Sequence, residues 1–358
     1  MNYKKQVYVA ISGGVDSAVA AAVLQEQGYD VIGIHMMTWQ ESHLVHGNKF
    51  SDNPALSAKA TAESLNIPFV SLDIRERFFH DVVKPFLKDY LAGETPNPCL
   101  FCNPQVKWGI LQSFAVEQGA DYFATGHYAR IESYGSNKMG LLRGLDEKKD
   151  QSYVLSMLSQ SQIRKSLLPL GTWTKEVVRD KALDLGLTAV EQRESQDLCF
   201  ISAGDYRDFL ERYAPEPIQP GDIVNVNGEV VGQHQGLPFY TIGQRKGIRL
   251  AAKEPYYVIE KNPSRNLLVV GYAHQTFQQG LIAEKPNWIS GVPPKIGEVY
   301  EVMVRYRAKP VPAVLSSVTS EEFRLKFNQD VRGITPGQVA VIYFGQACLG
   351  GGRIKMAL

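Results

Sequence analysis

The chain has 358 residues, too many for one ordinary domain, and its 44% hydrophobic and 21% charged residues are typical of a folded globular protein. A formal net charge of +1 excludes a polybasic or strongly acidic protein, and four cysteines exclude a disulfide scaffold. No secretory signal, organelle presequence or stretch of membrane-spanning length is evident. We therefore expect two or three domains in a cytoplasmic protein with no membrane partner.

Strand-like and helix-like segments alternate over the first 200 residues. The patterns predict strands over 7–11, 31–36, 68–72 and 119–125 and helices over 16–28 and 55–65. This rhythm predicts an α/β domain over residues 1–205, built on a parallel sheet. Ligands of such sheets bind at the carboxyl ends of the strands.

The pattern changes after residue 205. A last helix is predicted over 206–213, and Pro215, Pro217 and Pro220 follow it. Asn227-Gly228 indicates a β-hairpin, and later strands are predicted over 300–306, 313–319, 323–327 and 338–344. We expect a small β-rich central domain over 206–275 and a C-terminal antiparallel β-barrel over 276–358.

A glycine-rich loop, Ser12-Gly13-Gly14-Val15-Asp16-Ser17, joins the first strand to the first helix. Glycines let the backbone approach a phosphate closely, and a helix N-terminus offers free N–H groups and the positive end of its dipole. The loop matches neither the G-x-x-x-x-G-K-[ST] nor the G-x-G-x-x-G motif. Phosphate binding is the favoured interpretation, and a tight turn capped by Asp16 or Ser17 is the alternative.

The S-G-G-V-D-S loop resembles that of the N-type ATP pyrophosphatases. The resemblance implies a Rossmann-like fold of the adenine nucleotide alpha hydrolase type and cleavage of ATP between the α and β phosphates, with adenylation of a carbonyl oxygen. ATP, with Mg²⁺ bridging its phosphates and no protein metal site, would bind at Ala10, Ile11, Ser12, Gly13, Gly14, Val15, Asp16, Ser17, Met36 and Gly126.

The positions of the cysteines help to distinguish among the enzymes of this superfamily. Cys99 and Cys102 form a C-x-x-C in a proline-rich segment that we expect to be an extended loop, and Cys199 and Cys348 are single and distant. Half of a zinc site, two incidental thiols and a reactive thiol are the alternatives for the pair. A buried structural thiol is the alternative for Cys199.

Further segments extend the resemblance nearly end to end, to the bacterial tRNA-specific 2-thiouridylases. The matching segments are T-P-N-P-C-L-F-C-N over 95–103, G-H-Y-A-R over 126–130, K-D-Q-S-Y over 149–153, S-Q-D-L-C-F over 195–200, Y-T-I-G-Q-R-K-G over 240–247, R-Y-R over 305–307 and T-P-G-Q over 335–338.

This resemblance implies 2-thiolation of the wobble uridine, position 34, of tRNA. Its catalytic residues would be Asp16, Cys199, which carries a persulfide received from a sulfur-donor protein, and Cys102, which forms a transient disulfide with Cys199. The target base would meet Asn97, Pro98 and Cys99. The tRNA, of the Lys, Glu or Gln type, would meet His127, Lys149, Asp150, Gln151, Arg305, Tyr306, Arg307 and Gln338. We expect the protein to act as a monomer.

Several alternatives remain open at this point. Met36 and His127 have core packing as alternatives, and each surface Lys or Arg could be a solvated charge. Rival functions are another carbonyl-adenylating ligase or amidating enzyme, an RNA-binding module with a vestigial loop, and a zinc protein. Two departures from the family matter. The family often has an acidic, sometimes cysteine-containing stretch where residues 40–54 hold two histidines and no cysteine, and Cys99 stands where some relatives carry Asp.

The near-zero net charge is an average over two unlike parts. Residues 1–205 hold 20 Lys+Arg and 24 Asp+Glu, a charge of −4, whereas residues 206–358 hold 18 and 13, a charge of +5. The basic excess therefore falls in the parts that we expect to hold RNA. Such a modest excess predicts that tRNA binding relies on shape as well as charge.

Overall fold

The computed structural model describes residues 4–41, 54–135, 138–187, 198–201 and 205–358. Within these, the first 200 residues contain seven strands: β1 (Gln6–Ala10), β2 (Asp30–Met37), β3 (Phe69–Asp73), β4 (Tyr122–Ala124), β5 (Ala129–Tyr134), β6 (Lys138–Arg143) and β7 (Ser166–Leu167). Five of them form a parallel sheet in the order β3-β2-β1-β4-β7, which confirms the predicted α/β class.

Helices cover both faces of this sheet. They are α1 (Val15–Glu26), α2 (Pro54–Ser64), α3 (Arg75–Phe78), α4 (Lys84–Leu91), α5 (Cys99–Cys102), α6 (Gln112–Glu117), α7 (Ser152–Leu155), α8 (Gln160–Arg164) and α9 (Lys175–Asp184). Two π-helical segments make longer runs, Phe79–Val83 between α3 and α4 and Asn103–Leu111 between α5 and α6. Helix α1 is buried from Ser17 to Leu24, because it packs between the sheet and α9. None of the described helices is both long and apolar enough to cross a membrane.

The strand order reverses between β1 and β4. The chain leaves β1 toward β2 on one side and returns to β4 on the other, so the loops that follow these two strands diverge at their carboxyl ends. Such a switch point leaves an open crevice in parallel α/β sheets, and that crevice is where ligands bind. The loop after β1 is the glycine-rich one, and the loop after β4 contains Gly126.

The central part consists of helix α10 (Tyr206–Tyr213) and a small four-stranded sheet. Its strands are β8 (Gly221–Asn225), β9 (Val230–His234), β10 (Tyr257–Asn262) and β11 (Leu267–Gly271), in the order β10-β11-β8-β9. The turn between β8 and β9 places Gly228 at φ +85°, the conformation for which glycine is suited. The predicted hairpin is therefore confirmed. Short 3₁₀ turns lie at Leu237–Phe239, Pro263–Arg265 and Ala273–Thr276.

The C-terminal part is a closed antiparallel barrel, as predicted. Its strands are β12 (Phe277–Trp288), β13 (Val299–Met303), β14 (Val311–Val318), β15 (Glu322–Arg332), β16 (Val339–Phe344) and β17 (Ala347–Ala357). They follow the order β12-β15-β14-β13-β16-β17, and pairing of β12 with β17 closes the ring. Its interior is apolar, with Val302, Leu315, Phe323 and Ile342 fully buried.

The barrel sheet also takes in the hairpin of β5 and β6 from the N-terminal part. Cys348 and Ala347 of β17 pair with Leu141 and Leu142 of β6, although about 200 residues separate them in the chain. Sequence patterns do not reveal such a pairing, because periodicity specifies a strand and not its partner. The pairing ties the barrel to the loops that follow β4.

Candidate active site

The glycine-rich loop leaves the first turn of α1 uncapped. The residue at the helix N-cap is Gly14, which has no side chain to accept from the first N–H groups. The Ser17 hydroxyl donates to the Gly14 carbonyl oxygen at 2.9 Å and accepts from the Ser12 amide at 3.2 Å. The loop is thus folded back on itself while the helix N–H groups are left for an anion.

Two glycines let the loop pack as tightly as it does. At Gly126, a Cβ would lie 2.7 Å from the Asp16 carbonyl carbon and 2.9 Å from the Ser17 nitrogen, and both are backbone atoms. At Gly13, whose φ is +87°, a Cβ would lie 2.6 Å from the Ser57 hydroxyl oxygen. The chain after β4 therefore lies directly against the start of α1, where the sequence placed the ATP site.

Asp16 is held by two partners. Its Oδ1 atom accepts from the Tyr128 hydroxyl at 2.7 Å and from the Lys175 Nζ atom at 2.6 Å. Lys175 is buried at the first turn of α9, and its backbone N–H donates to Asp146. Sequence analysis missed Lys175. A lone lysine at the start of a helix carries no signal until the fold brings it to the loop.

Other proposed nucleotide residues line the same sheet edge. Ala10 ends β1, and the buried Ile11 carbonyl oxygen lies 2.8 Å from Nδ1 of His35, whose pKa is lowered by burial. Met36, near the end of β2, is half-buried and packs against the hydrophobic core. Packing against the core thus covers part of the Met36 side chain and leaves the rest exposed.

The C-x-x-C segment is helical, which corrects the extended loop predicted for it. Cys99 and Cys102 are the ends of α5, and Asn103, which precedes Pro104, is also helical at φ −57° and ψ −62°. The following π-helical segment accommodates Pro104, which has no N–H to donate within the helix. The Asn97 side chain accepts from the Cys99 amide at 3.2 Å, and Pro98 forms the N-cap.

Cys199 is brought to this pair by the aromatic residue that follows it. The Phe200 ring is fully buried and packs on Phe86 and Phe209 with centroids 5.2 and 5.5 Å apart. The remainder of the S-Q-D-L-C-F motif, residues 195–197, lies outside the described residues, as do residues 42–53.

The three thiols lie close enough for the charge of one to alter the pKa of another. Burial raises the pKa of Cys102 to about 12 and that of Cys199 to about 11, and it raises the pKa of Cys99 as well. Cys99 and Cys199 nevertheless reach solvent, whereas Cys102 is buried.

His127 and Lys107 complete the thiol site. His127 is buried, with Nδ1 2.7 Å from the Thr125 hydroxyl and Nε2 3.5 Å from Lys107 Nζ. Burial and the nearby lysine hold its pKa well below the usual value, so the imidazole is neutral. Lys107 also opposes the rise in pKa of all three thiols. Sequence analysis did not single it out.

The residues predicted to contact tRNA occupy two places. In the first, Asp150 accepts from the Gly144 and Ser152 amides, and the Gln151 side chain accepts from the Tyr128 amide, so this loop braces the chain beside Gly126. Lys149 lies on the same loop, between half-buried and exposed neighbours.

The second place is a cavity of about 180 Å³ where all three parts of the chain meet. It is lined by Thr95, Thr241, Arg305, Tyr306, Thr335 and Gln338. Gln338 donates to the Thr95 carbonyl oxygen at 2.7 Å, and Arg305 donates to the Gly333 carbonyl oxygen at 2.8 Å. Arg307 is exposed, and its guanidinium lies 5.3 Å from the Tyr306 ring centre.

Cys348 is separate from the thiol site. It is buried in the barrel beside Ser152 and Tyr343, and burial raises its pKa to about 12. Within the described residues, no group of three or more His, Cys, Asp or Glu side chains is arranged to hold a metal ion.

Family models match nearly the whole chain. The tRNA methyl transferase HUP domain matches residues 5–203, the tRNA methyl transferase PRC-barrel domain 207–272 and the aminomethyltransferase beta-barrel domain 278–354. A tRNA-specific 2-thiouridylase MnmA of Carboxydothermus hydrogenoformans is 45% identical, with 99% of each chain covered. The chain belongs to the tRNA-specific 2-thiouridylase family. Members from Shigella boydii (40% identical, covering 99% of this chain and 98% of that one) and Clostridioides difficile (38%, 100% of both) match along their length too.

Membership in the 2-thiouridylase family makes the chain a tRNA sulfurtransferase, and the structure connects the glycine-rich loop to the thiol cluster. Gly126 touches the loop, and the next residue, His127, touches Lys107 of the thiol site. The two centres are therefore linked through consecutive residues.

Proposed function

We propose that this protein carries out ATP-dependent 2-thiolation of the wobble uridine, position 34, of tRNA. The observation that carries the proposal is the junction of an uncapped glycine loop with three clustered thiols through Gly126 and His127. Adenylation acts on the 2-carbonyl oxygen and sulfur transfer acts on the carbon bonded to it, so the groups that perform the two steps must meet in one crevice. Family membership supplies the substrate class.

Adenylation falls to the glycine loop. The 2-carbonyl oxygen of uridine is a poor leaving group, and its attack on the α phosphate of ATP forms a C2–O–AMP bond and releases pyrophosphate. Lys175 brings a positive charge to Asp16 at the start of α1, beside the loop N–H groups that would hold phosphates. Mg²⁺ would be held by the phosphates of ATP and would neutralise part of their charge.

Sulfur transfer falls to Cys199 and Cys102. The terminal sulfur of a Cys199 persulfide attacks C2 and forms a C–S bond. The C2–O bond then breaks, and AMP leaves with its electron pair. The Cys102 thiolate then attacks the Cys199 sulfur, and the electron pair of the broken S–S bond goes to the sulfur on the base. In the alternative order, the Cys102 thiolate attacks the Cys199 persulfide first and releases hydrosulfide. The hydrosulfide then attacks C2, and the products are the same. Either way, a Cys102–Cys199 disulfide remains, which an external dithiol reduces.

The tRNA is assigned to the crevice mouth and the basic C-terminal parts. Asn97, Pro98 and Cys99 would meet the base, which must be turned out of the anticodon stack to be reached. The cavity lined by Arg305, Tyr306 and Gln338 would take phosphate and sugar groups, with Arg307 next to Tyr306. His127 and the loop of residues 149–151 would contact the tRNA at the other place, near Gly126. The proposal also includes a monomeric, cytoplasmic enzyme. It would receive sulfur from a sulfur-donor protein and act on tRNA of the Lys, Glu or Gln type.

The test is a reconstituted thiolation assay. Protein, unmodified tRNA, ATP, Mg²⁺ and a persulfide donor are incubated, and nucleosides are analysed by mass spectrometry. We expect 2-thiouridine at position 34 with the wild type, and loss of turnover in both Cys199→Ser and Cys102→Ser. Cys348→Ser is the matched control and should keep activity, because Cys348 lies apart from the site.

Single-turnover products separate the two half-reactions. Cys199→Ser should still release pyrophosphate in the presence of tRNA, whereas Asp16→Ala should not, although it should still bind tRNA. Full activity in either single cysteine variant would remove the two-thiol mechanism. Amidated or otherwise modified uridine in place of 2-thiouridine would favour another carbonyl-adenylating enzyme.

A further inference from the structure

Lys107 stands out as a cation without a counter-ion. It is half-buried, and among the described residues its side chain contacts the neutral imidazole of His127, with Nζ 3.5 Å from Nε2. No carboxylate of the described residues pairs with it. A half-buried ammonium is costly to leave uncompensated, which points to a negative charge that forms beside it at some stage of the reaction.

The backbone aims Lys107 at the thiols. Lys107 lies five residues after Cys102, in the π-helical segment Asn103–Leu111. A π-helix repeats its hydrogen bonds at five residues, so residues five apart lie on one side of it. Gly109 permits the wide register, since a Cβ there would lie 3.1 Å from the Pro104 carbonyl oxygen. The π-helical register thus places Lys107 on the same side of the helix as Cys102, the residue at the N-cap of this segment.

His127 holds the lysine in place. An ammonium group only donates, so Nε2 of His127 accepts from Lys107, and Nδ1 carries the proton and donates to Thr125. A neutral imidazole offers a lone pair to the lysine and adds no charge of its own. The charge of Lys107 is therefore not neutralised before sulfur arrives.

We propose that Lys107 is the electrostatic partner of the anionic sulfur in this site, stabilising the thiolate of Cys99, Cys102 or Cys199 and the persulfide anion that Cys199 carries. Burial opposes ionisation of all three thiols, and within the described residues Lys107 is the one cation that favours it. The persulfide part of this assignment rests on the proposed function, whereas the thiolate part does not.

The experiment measures thiol ionisation directly. Full-length protein without ATP or tRNA is alkylated with iodoacetamide across a pH series, and the rate at each cysteine is followed by mass spectrometry. Lys107→Gln keeps a hydrogen-bonding side chain and loses the charge. It should slow the alkylation of Cys199 about tenfold at fixed pH and shift the pH dependence of that rate to higher pH by about one pH unit. Lys107→Arg should keep the rate within about twofold, and Lys165→Met, an exposed lysine elsewhere, should change nothing.

The outcomes are separable from those of the thiolation assay. An unchanged Cys199 profile in Lys107→Gln, or failure of Lys107→Arg to restore it, would overturn the proposal even if thiolation is confirmed. If wild type makes no 2-thiouridine, the alkylation profiles still decide whether Lys107 controls thiol ionisation. Unchanged melting temperatures of both variants would exclude unfolding as the cause. The alkylation rate of Cys102 is a second control, because a purely structural loss would expose this buried thiol and speed its alkylation.

Discussion

The nucleotide loop and the thiol site lie side by side and are built in opposite ways. At the loop, the charged side chains are paired: Asp16 accepts from Lys175 and Tyr128, and Ser17 ties the turn together. At the thiol site, Lys107 has no described carboxylate partner, His127 is neutral, and burial keeps the thiols protonated.

Under the proposed function, the difference reflects what each site would receive. A phosphate arrives already charged, so its site can be organised in advance with balanced polar groups. A sulfur nucleophile must become charged during the reaction. A protonated thiol in an apolar site resists premature oxidation, and one nearby cation then stabilises the anion when it forms.

Breaking the pairing at the loop should have the largest effect. Lys175→Met removes the cation beside Asp16, and we expect adenylation to slow by about 10²–10³-fold, since charge stabilisation at a transferring phosphoryl group is lost. Pyrophosphate release in single-turnover reactions measures it. Lys181→Met is the matched control, because Lys181 lies on the same helix and forms a similar 2.6 Å pair with Glu26 away from the loop. Equal activity in the two variants would contradict a role for Lys175 in adenylation.

A smaller effect is expected where only packing at the loop changes. Gly126→Ala puts a Cβ against Asp16 backbone atoms, so the strand end and the loop must separate, at about 1–3 kcal/mol. We expect the KM for ATP to rise about tenfold while the alkylation profile of Cys199 stays unchanged. Gly14→Ala, whose Cβ would find its nearest neighbour at 3.6 Å, should keep the melting temperature of wild type. A shifted Cys199 profile in Gly126→Ala would show that the two sites are not independent.

Local patterns predicted most of the architecture. Apolar runs bounded by glycine gave β1, α1 and β2 to within two residues, because each buries a continuous face. The C-x-x-C segment was misjudged, since prolines on both sides favour extended backbone while the π-helical register that tolerates Pro104 has no sequence signature. Residues 129–143 fall within the predicted N-terminal domain, and no hairpin was predicted there, although the structure pairs β6 with β17 of the barrel.

The site was predictable only where its residues fall in one motif. The loop residues Ser12 to Ser17 were found because they are consecutive. Lys175 and Lys107 were missed because each is an isolated lysine, and lysines are usually solvated. Lys175 is buried beside Asp16 and Lys107 is half-buried beside His127, and only the tertiary fold provides these positions.

The smallest effect is expected outside both sites, at an exposed charge that serves neither chemistry. Arg307→Ala removes a guanidinium that lies over the Tyr306 ring at the rim of the cavity. If it contacts one phosphate, tRNA affinity should fall a few-fold and the slope of log K against log salt should drop by about one. Binding titrations at several salt concentrations measure both, and Lys295→Ala, an exposed lysine paired with Glu298, is the control. An unchanged slope would place the tRNA away from this rim. Adenylation and thiol ionisation in Arg307→Ala should remain as in wild type, because neither the loop nor Lys107 depends on Arg307.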